Sequence, residues 1–400
     1  MDALPPPATR KLLYPFGIVV FASLLLVLVR VQKDAYWLHS VATAFDASTA
    51  SKKPHAAPPG ARNEQRVVVL PGPHKTGTTT VQNSLVRWTR GSPKLPGFDN
   101  WTYPVPASQD FESVQAQSWG EIKGFHPMVA ELLNASQTPH DYLRNPLLQI
   151  YRRSIRRAWN GGKNIVIASE TFDALVNEPL GMNPELLWER FLQLLPSAHA
   201  RSNMIIGIHY RTPRIDQLIS LWHEVGKPGE SLVHYILIEL TKNSFVLNPL
   251  GLANFFVQRG YTVRIIDTGR VVKAGELSVP SAVACYILQV PEQCSSADGE
   301  GKSRTEIRHN RKSDPGERML NNETLQAINQ LMVDYDCQYR GAWDGKPNVE
   351  WIYGETAQPS TSFPALDCSN NNAGRTFSQT VQAVVKLVYD LYPDAKDSRP

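Results

Sequence analysis

The chain has 400 residues, of which 42% are hydrophobic and 20% are charged, and its formal net charge at pH 7 is +4. A charge balance this close to neutral gives no reason to expect nucleic-acid binding, but it leaves room for a local basic pocket. The length suits one large domain or two small ones, and the sequence contains no internal repeat.

The N-terminal part of the chain predicts a membrane anchor followed by a linker. Residues Leu12 to Val31 are almost wholly apolar, and about twenty such residues suffice to cross a bilayer. A cleaved signal peptide is the alternative, but the apolar run is long for one and no small-residue cleavage site directly follows. We therefore expect a cytoplasmic tail at 1–11, an uncleaved signal anchor at 12–31, a stem at 32–63 and a luminal domain at 64–393.

Sequons and cysteines agree with a luminal domain. N-x-[ST] sequons begin at Asn100, Asn134 and Asn322. Chance gives sequons at a comparable rate, so they only agree with glycosylation in the secretory pathway. Four cysteines are an even number and suggest two disulfides, whereas a zinc site would want a close C-x-x-C spacing that is missing. Cys285–Cys294 and Cys337–Cys368 give the shortest loops, but the sequence does not fix this pairing.

The stretch from Arg66 to Trp88 predicts a strand, a tight loop and a helix. Val67 to Leu70 form a short β-branched apolar run that suits a buried strand, and Pro71-Gly72-Pro73 ends it. Apolar residues recur at helical spacing from Val81 onward. The loop between them reads His74, Lys75, Thr76, Gly77, Thr78, Thr79 and Thr80. Backbone N–H groups, an ammonium and hydroxyls at a helix N-terminus bind anions, so this loop predicts a phosphate site.

The loop is not the Walker A loop of nucleotide triphosphatases. Gly72 and Gly77 have the Walker spacing, but Thr78 stands where that motif has its lysine, and Lys75 comes two residues before the second glycine. The order P-x-x-K-T-G-T-T-T resembles the 5′-phosphosulfate loop of the sulfotransferases that use 3′-phosphoadenosine 5′-phosphosulfate (PAPS). The alternative is a plain Gly/Thr-rich turn with a surface lysine.

This resemblance implies a fold, a cofactor and a chemistry. The fold would be a three-layer α/β fold with a central parallel sheet and a P-loop-like phosphate-binding loop. The chemistry would be in-line transfer of a sulfuryl group from PAPS to a hydroxyl or amine. His74 to Thr80 would bind the 5′-phosphate, and Lys75 would stabilise the charge that builds on the bridging oxygen. No metal would be needed, because Lys75 supplies the charge that an ion would.

A second apolar run, Asn164 to Ala168, predicts a buried strand that leads into Glu170. Ligands collect at the carboxyl ends of parallel strands, so Glu170 is expected at the same edge as the phosphate loop. A carboxylate there can accept the proton of an attacking hydroxyl. Capping of the next helix is the alternative role for Glu170, and His126 is the rival base.

The third strand, Met204 to Tyr210, is followed by a second element of the resemblance. The sulfotransferase pattern is a strand that ends in Arg, a Pro two residues later and a Ser about eight residues later. Arg211 and Pro213 match it, and Ser220 comes one residue late. The resemblance implies that Arg211 and Ser220 hold the 3′-phosphate, since Arg makes bidentate contacts with phosphate. Arg214 is the alternative to Ser220.

The rest of the chain alternates further helical patterns with one more strand, Tyr261 to Asp267, which is typical of a parallel α/β sheet. Two long stretches, Gly91 to Asp110 and Gly341 to Arg375, are expected to be irregular. The late helical patterns begin at Ser281, Asn322 and Phe377.

Two other functions compete with sulfuryl transfer. A luminal glycosyltransferase would share the anchor, and Asp334-Tyr335-Asp336 fits its D-x-D metal motif. A non-enzymatic binding protein with the same fold is the other competitor. For the sulfotransferase, the expected partners are an acceptor glycan and the Golgi membrane, reached through one N-terminal helix, and not a nucleic acid.

Overall fold

The computed structural model describes residues 65–72, 78–91, 94–106, 124–135, 142–176, 183–226, 230–269, 277–294, 320–343, 345–352, 368 and 374–396. All described residues belong to one compact unit, Glu64–Pro400. The expected tail, anchor and stem lie outside the described residues. Within the described ranges no helix is both long enough and apolar enough to cross a membrane.

Six strands form one sheet. They are β1 (Val67–Leu70), β2 (Trp101–Thr102), β3 (Asn164–Ala168), β4 (Met204–Tyr210), β5 (Thr262–Asp267) and β6 (Val349–Ile352). Their order is β2-β3-β1-β4-β5-β6, and every neighbouring pair is parallel. The α/β fold with a central parallel sheet, predicted from the alternation of strands and helices, is confirmed.

Twelve α-helices accompany the sheet. They are α1 (Thr78–Arg90), α2 (His126–Ala135), α3 (Pro146–Asn160), α4 (Pro184–Leu194), α5 (Ala198–Ser202), α6 (Arg214–Val225), α7 (Leu232–Ile238), α8 (Leu240–Asn243), α9 (Pro249–Val257), α10 (Val279–Ala282), α11 (Asn322–Trp343) and α12 (Phe377–Leu391) in the described ranges. Several begin at side-chain caps. Asn145 accepts hydrogen bonds from the first N–H groups of α3, and Thr376 and Gln379 form a capping box on α12.

The two faces of the sheet are covered by different elements. All four residues of β1 are fully buried, as expected for a strand covered on both sides. Tyr210 of β4 donates from its hydroxyl to Asp336 of α11, 2.7 Å away, on one face. On the other face, a Cβ added at Gly207 would meet Ile287 at 2.6 Å. Ile287 closes the π-helical turn Val283–Ile287, and α10, just before that turn, packs against α1.

The structure differs from the sequence-based expectations in three places. The stretches expected to be irregular each contain a strand, β2 and β6. These strands are short and lie at the two edges of the sheet, where the hydrophobic pattern is weakest. The helix expected from Ser281 is instead a four-residue helix, α10, that continues as a π-helical turn.

Both disulfides have the short-loop pairing, Cys285–Cys294 and Cys337–Cys368, that the sequence left open.

Candidate functional site

The carboxyl ends of three neighbouring strands bring the expected site elements to one edge of the sheet. Leu70, at the end of β1, pairs with Ala168, at the end of β3, and the Ser169 N–H donates to the Leu70 carbonyl over 3.0 Å. On the other side Val69 pairs with Ile206 of β4. The turn into the loop, the turn that carries Glu170 and the segment that begins at Arg211 therefore follow adjacent strands.

This edge contains a topological switch point between β1 and β4. The chain leaves β1 toward β2 and β3 on one side, and it leaves β4 toward β5 and β6 on the other side. Connections that diverge in this way open a crevice outside the carboxyl ends of the two strands, where α/β proteins bind their ligands. Gly72 shortly after β1 and Arg211 after β4 are described residues that follow the two strands at this edge.

Strand lengths deepen the crevice above β1. β1 ends one residue after the Val69–Ile206 pair, whereas β4 continues for four residues past it, to Tyr210. Three residues of overhang correspond to about 10 Å of strand. β4 therefore extends beyond the end of β1 at this edge of the sheet.

Gly72 joins the beginning of the loop to the turn that carries Glu170. It has a φ of +104°, and a Cβ built there would lie 3.1 Å from the Cα of Glu170 and 2.9 Å from an oxygen of Asp173. Only glycine fits both the conformation and the space. Gly72 and Glu170 are thus close neighbours, as expected from their positions at one sheet edge.

The two candidate bases are close neighbours. Glu170 is 8% exposed and begins the 3₁₀ turn Glu170–Val176, so it also has the position of a capping acid. The hydroxyl of Thr171, the next residue, lies 2.6 Å from Nδ1 of His126 at the start of α2. Both Glu170 and His126 are therefore at the carboxyl edge, and geometry alone does not separate their roles.

Arg211 lies directly after β4, at the position predicted from the sequence. Its side chain is 16% exposed, and one guanidinium nitrogen lies 3.7 Å from Asp216 of α6. Burial lowers the pKa of Arg211 from its ordinary value, and the charge of Asp216 opposes that shift. The next residue, Thr212, donates from its hydroxyl and its N–H to Asp267 at the end of β5, over 2.6 and 3.2 Å. The segment that holds Arg211 is thereby fixed to the neighbouring strand.

Ser220 lies on the half-buried side of α6. It follows Asp216 by four residues, so the two share one helix face. The buried face of α6 carries Ile215, Leu218 and Trp222 instead. Ser220 thus lies on the same face as the acid that contacts Arg211.

Arg214 does not fit the role of the alternative phosphate ligand. Its side chain is fully buried, and Nε lies 2.8 Å from Asp336 of α11. Its other guanidinium nitrogens donate to Gln217 and to the carbonyl of Leu247. A guanidinium enclosed in this way holds helices together and has no surface left for a ligand.

Within the D-x-D triplet, Asp336 is a buried packing residue. Asp336 is fully buried between Arg214 and Tyr210, whose hydroxyl donates to it. Burial raises the pKa of Asp336 to about 6, although Arg214 and Tyr210 oppose the shift. Asp334 accepts a hydrogen bond from Gln330 of its own helix instead. In the described part of the chain no cluster of three or more His, Cys, Asp or Glu residues has metal-site geometry.

His209 is a residue that sequence reasoning missed. It lies in β4, two residues before Arg211, and is 1% exposed. Neither ring nitrogen has a hydrogen-bond partner among the residues that the structure describes. Burial lowers the pKa of His209 to about 4, so its ring is neutral near pH 7. The available signal was a polar residue in an otherwise largely apolar strand that leads into Arg211.

Most of the phosphate loop lies outside the described residues, which exclude His74, Lys75, Thr76 and Gly77 and the side chain of Thr78. The structure does describe the helix that follows it. Thr79 and Thr80 are exposed in the first turn of α1, and no acidic residue occupies that turn. Buried Gln82 donates to the carbonyl of Ala168 over 3.4 Å and connects α1 to the end of β3.

Comparison with known proteins adds no identification. No family model, no curated protein and no solved structure matches this chain.

Proposed function

We propose that this chain is a sulfotransferase that moves a sulfuryl group from PAPS to a hydroxyl or amine of an acceptor, by preference a carbohydrate. The observation that carries the proposal is the convergence at the β1–β4 switch point. The entry to a phosphate-type loop, the carboxylate of Glu170 and the guanidinium of Arg211 all follow strands that end at that edge. An anionic nucleotide is the ligand class that such crevices bind.

The residues present fit the two phosphate ends of PAPS. Arg211 is partly buried directly after β4, 3.7 Å from Asp216, and a guanidinium at such a strand end can make bidentate contacts with a phosphate. Ser220 shares the face of α6 with Asp216 and adds a hydroxyl. At the other end, the first turn of α1 offers N–H groups and threonine hydroxyls at the positive end of the helix dipole, and that turn contains no acidic residue.

In this proposal the reaction needs one cation and one base from the chain. The acceptor oxygen or nitrogen forms a bond to sulfur while the bond between sulfur and the bridging oxygen breaks, and 3′-phosphoadenosine 5′-phosphate leaves. Lys75 neutralises the charge that develops on the bridging oxygen. Glu170 takes the proton of the acceptor, since a carboxylate at the sheet edge can reach a hydroxyl in the crevice.

The cellular setting is part of the same proposal. The apolar run at 12–31 would anchor the chain in the Golgi membrane as a single-pass type II protein with the described domain in the lumen. Two disulfides agree with an oxidising compartment, because cytosolic proteins keep their thiols reduced. A luminal acceptor makes a glycan the expected partner.

The test is transfer of labelled sulfate from PAPS to a panel of glycans by the purified protein. Lys75→Ala is expected to lower the rate about a hundredfold or more, as the loss of one contact to a developing charge typically does. Lys163→Ala is the matched control, because Lys163 lies at the amino end of β3 and donates to the carbonyl of Asp99. Full activity of Lys75→Ala with saturating PAPS would rule the assignment out.

A further inference from the structure

The side of α3 that faces away from the core carries four arginines. Arg152, Arg153, Arg156 and Arg157 lie within about one and a half turns of this helix, and we call them the arginine face. Residues 142–163, which include all of α3, contain no Asp or Glu. The chain has 41 lysines and arginines and 37 acids, so without the arginine face the two would be equal in number. The positive charge of the protein is therefore concentrated on this surface.

Neighbouring acids do not neutralise the arginine face. Arg153, Arg156 and Arg157 are exposed and Arg152 is half-buried, and none of the four forms an ion pair with a carboxylate of the described ranges. Arg152 and Arg156 are four residues apart, so their like charges destabilise the helix. Arg153 and Arg157 repel each other in the same way. The helix dipole favours a basic residue in the last turn, which accounts for Arg157 but not for the other three.

The positive surface continues from α3 onto α5. Burial raises the pKa of Tyr142, which lies shortly before α3, and three arginine charges oppose that shift: Arg190, Arg152 and Arg201. Arg201 is exposed on α5, and Arg190 lies over the Tyr142 ring, 4.9 Å from its centroid. One acid, Glu189, also acts on Tyr142. Arginines from three helices thus surround one hydroxyl.

The arginine face lies away from the crevice between β1 and β4. α3 packs against β3 and ends at Asn160, four residues before β3 begins at Asn164. Arg156 and Arg157 are in the final part of α3, so they lie toward the amino end of β3. The crevice is at the opposite edge, where the parallel strands have their carboxyl ends.

We infer that the arginine face binds a polyanionic glycan, a polysaccharide that carries sulfate or carboxylate groups. The guanidinium group presents its N–H donors as a planar fork, which contacts such oxyanions in pairs of hydrogen bonds. All four positions hold arginine and none holds lysine. A linear polyanion laid across the helix neutralises the repulsion between these side chains. The inference concerns a surface outside the crevice and does not rest on sulfuryl transfer.

A glycan fits this surface better than a membrane or a nucleic acid does. A helix that binds a bilayer exposes an apolar face beside its basic one. The apolar side chains of α3 are buried in the core instead: Leu148, Ile150, Tyr151 and Ile155. Two disulfides agree with an oxidising compartment, in which the abundant polyanions are glycans and not nucleic acids.

The first test measures binding of a heparin oligosaccharide, a sulfated glycan, to the full-length protein by calorimetry in the absence of PAPS. The arginine triple combines Arg153→Gln, Arg156→Gln and Arg157→Gln. It is expected to weaken binding about ten- to a hundredfold at low salt, because three exposed ion pairs of modest strength are lost together. Unchanged affinity of the arginine triple would overturn the inference.

A second triple variant serves as the matched control. Lys346→Gln, Arg375→Gln and Lys386→Gln remove three exposed positive charges around β6 and α12. β6 is at the far edge of the sheet from β2 and β3. The control triple is expected to keep wild-type affinity. An equal loss in the two triples would show attraction by net charge alone and would overturn the inference.

Two readouts guard against a structural role for the arginines. The wild type should bind the oligosaccharide less tightly as ionic strength rises, since salt screens the charges and binding releases counterions. Affinity that does not change with salt would contradict the inference without any variant. The thermal unfolding midpoint of the arginine triple should equal or exceed that of the wild type, because like charges have been removed. A lower midpoint with unchanged glycan affinity would show a structural role instead.

Other polyanions serve as competitors in the same assay. Phosphatidylserine vesicles, a DNA duplex and polyglutamate represent a membrane, a nucleic acid and an acidic protein. If the wild type prefers one of them to the oligosaccharide and the arginine triple loses that preference, the partner is of that class and the inference is wrong. A protein that binds the oligosaccharide through the arginine face but transfers no sulfate would refute the proposed function alone.

Discussion

The buried pair of Arg214 and Asp336 gives the sharpest prediction about stability, and it bears on function. Asp336 is the second acid of the D-x-D triplet, so a metal-dependent glycosyltransferase would need it for activity. In the structure it is 0% exposed, 2.8 Å from Arg214 and 2.7 Å from the Tyr210 hydroxyl. Asp336→Ala leaves a buried guanidinium without its partner, which should lower the free energy of unfolding by about 3–5 kcal/mol.

A double-mutant cycle checks the reasoning. Replacing both partners with apolar residues, as in Arg214→Met with Asp336→Leu, should recover most of the loss, because no charge then remains buried. Urea unfolding of the wild type, both single variants and the double variant gives the four free energies. If Asp336→Ala unfolds like the wild type but loses an activity that requires added metal, the triplet is a metal site and this reasoning is refuted.

The same pair predicts the direction of a pH effect. The pKa of Asp336 is raised to about 6 in the folded protein, above its ordinary value of 3.8, mainly by burial. The folded state therefore holds this proton more tightly than the unfolded state does. The stability that this group contributes is present below about pH 4 and is lost as the pH rises through 6. Relative to the double variant, the wild type should lose unfolding free energy between pH 4 and 6, and a rise in that interval would contradict the assignment.

Two further predictions concern the sheet edge. Gly72→Ala should lower the free energy of unfolding by about 1–3 kcal/mol, and by more than Gly162→Ala does. Both glycines have a positive φ, but of the two only Gly72 lacks space for a Cβ. Equal unfolding midpoints for the two variants would contradict the contact with Glu170. Glu170→Gln should lower the rate of sulfate transfer about 10²- to 10⁴-fold and leave the affinity for the nucleotide unchanged. His126→Asn should retain most of the activity. The reverse pattern in a sulfate-transfer assay would make His126 the base.

Much of the fold was predictable because the central strands have a recognisable hydrophobic pattern in the sequence. Buried parallel strands read as short β-branched runs, and β1, β3, β4 and β5 all do. The edge strands β2 and β6 have two and four residues and no such run, so their pairing is decided by neighbours far away in the chain. Tertiary contacts, and not local pattern, made these two segments strands.

The site was predictable to a similar degree. Arg211 and Glu170 follow recognisable strands, so their common edge could be inferred from sequence. The burial of Arg214 and Asp336 could not, because the Tyr210–Asp336 hydrogen bond joins residues 126 positions apart. His209 escaped notice for the same reason. A histidine in a strand has meaning only once its neighbours, and their lack of polar groups, are known.

The central claim is that an anionic nucleotide binds in the crevice between the carboxyl ends of β1 and β4. The most direct measurement is an experimental structure of the protein with 3′-phosphoadenosine 5′-phosphate. We predict that the nucleotide lies above β1, with its 5′-phosphate at the N-terminus of α1 and its 3′-phosphate on Arg211. A nucleotide bound elsewhere on the protein, with no phosphate in contact with Arg211, would contradict the account.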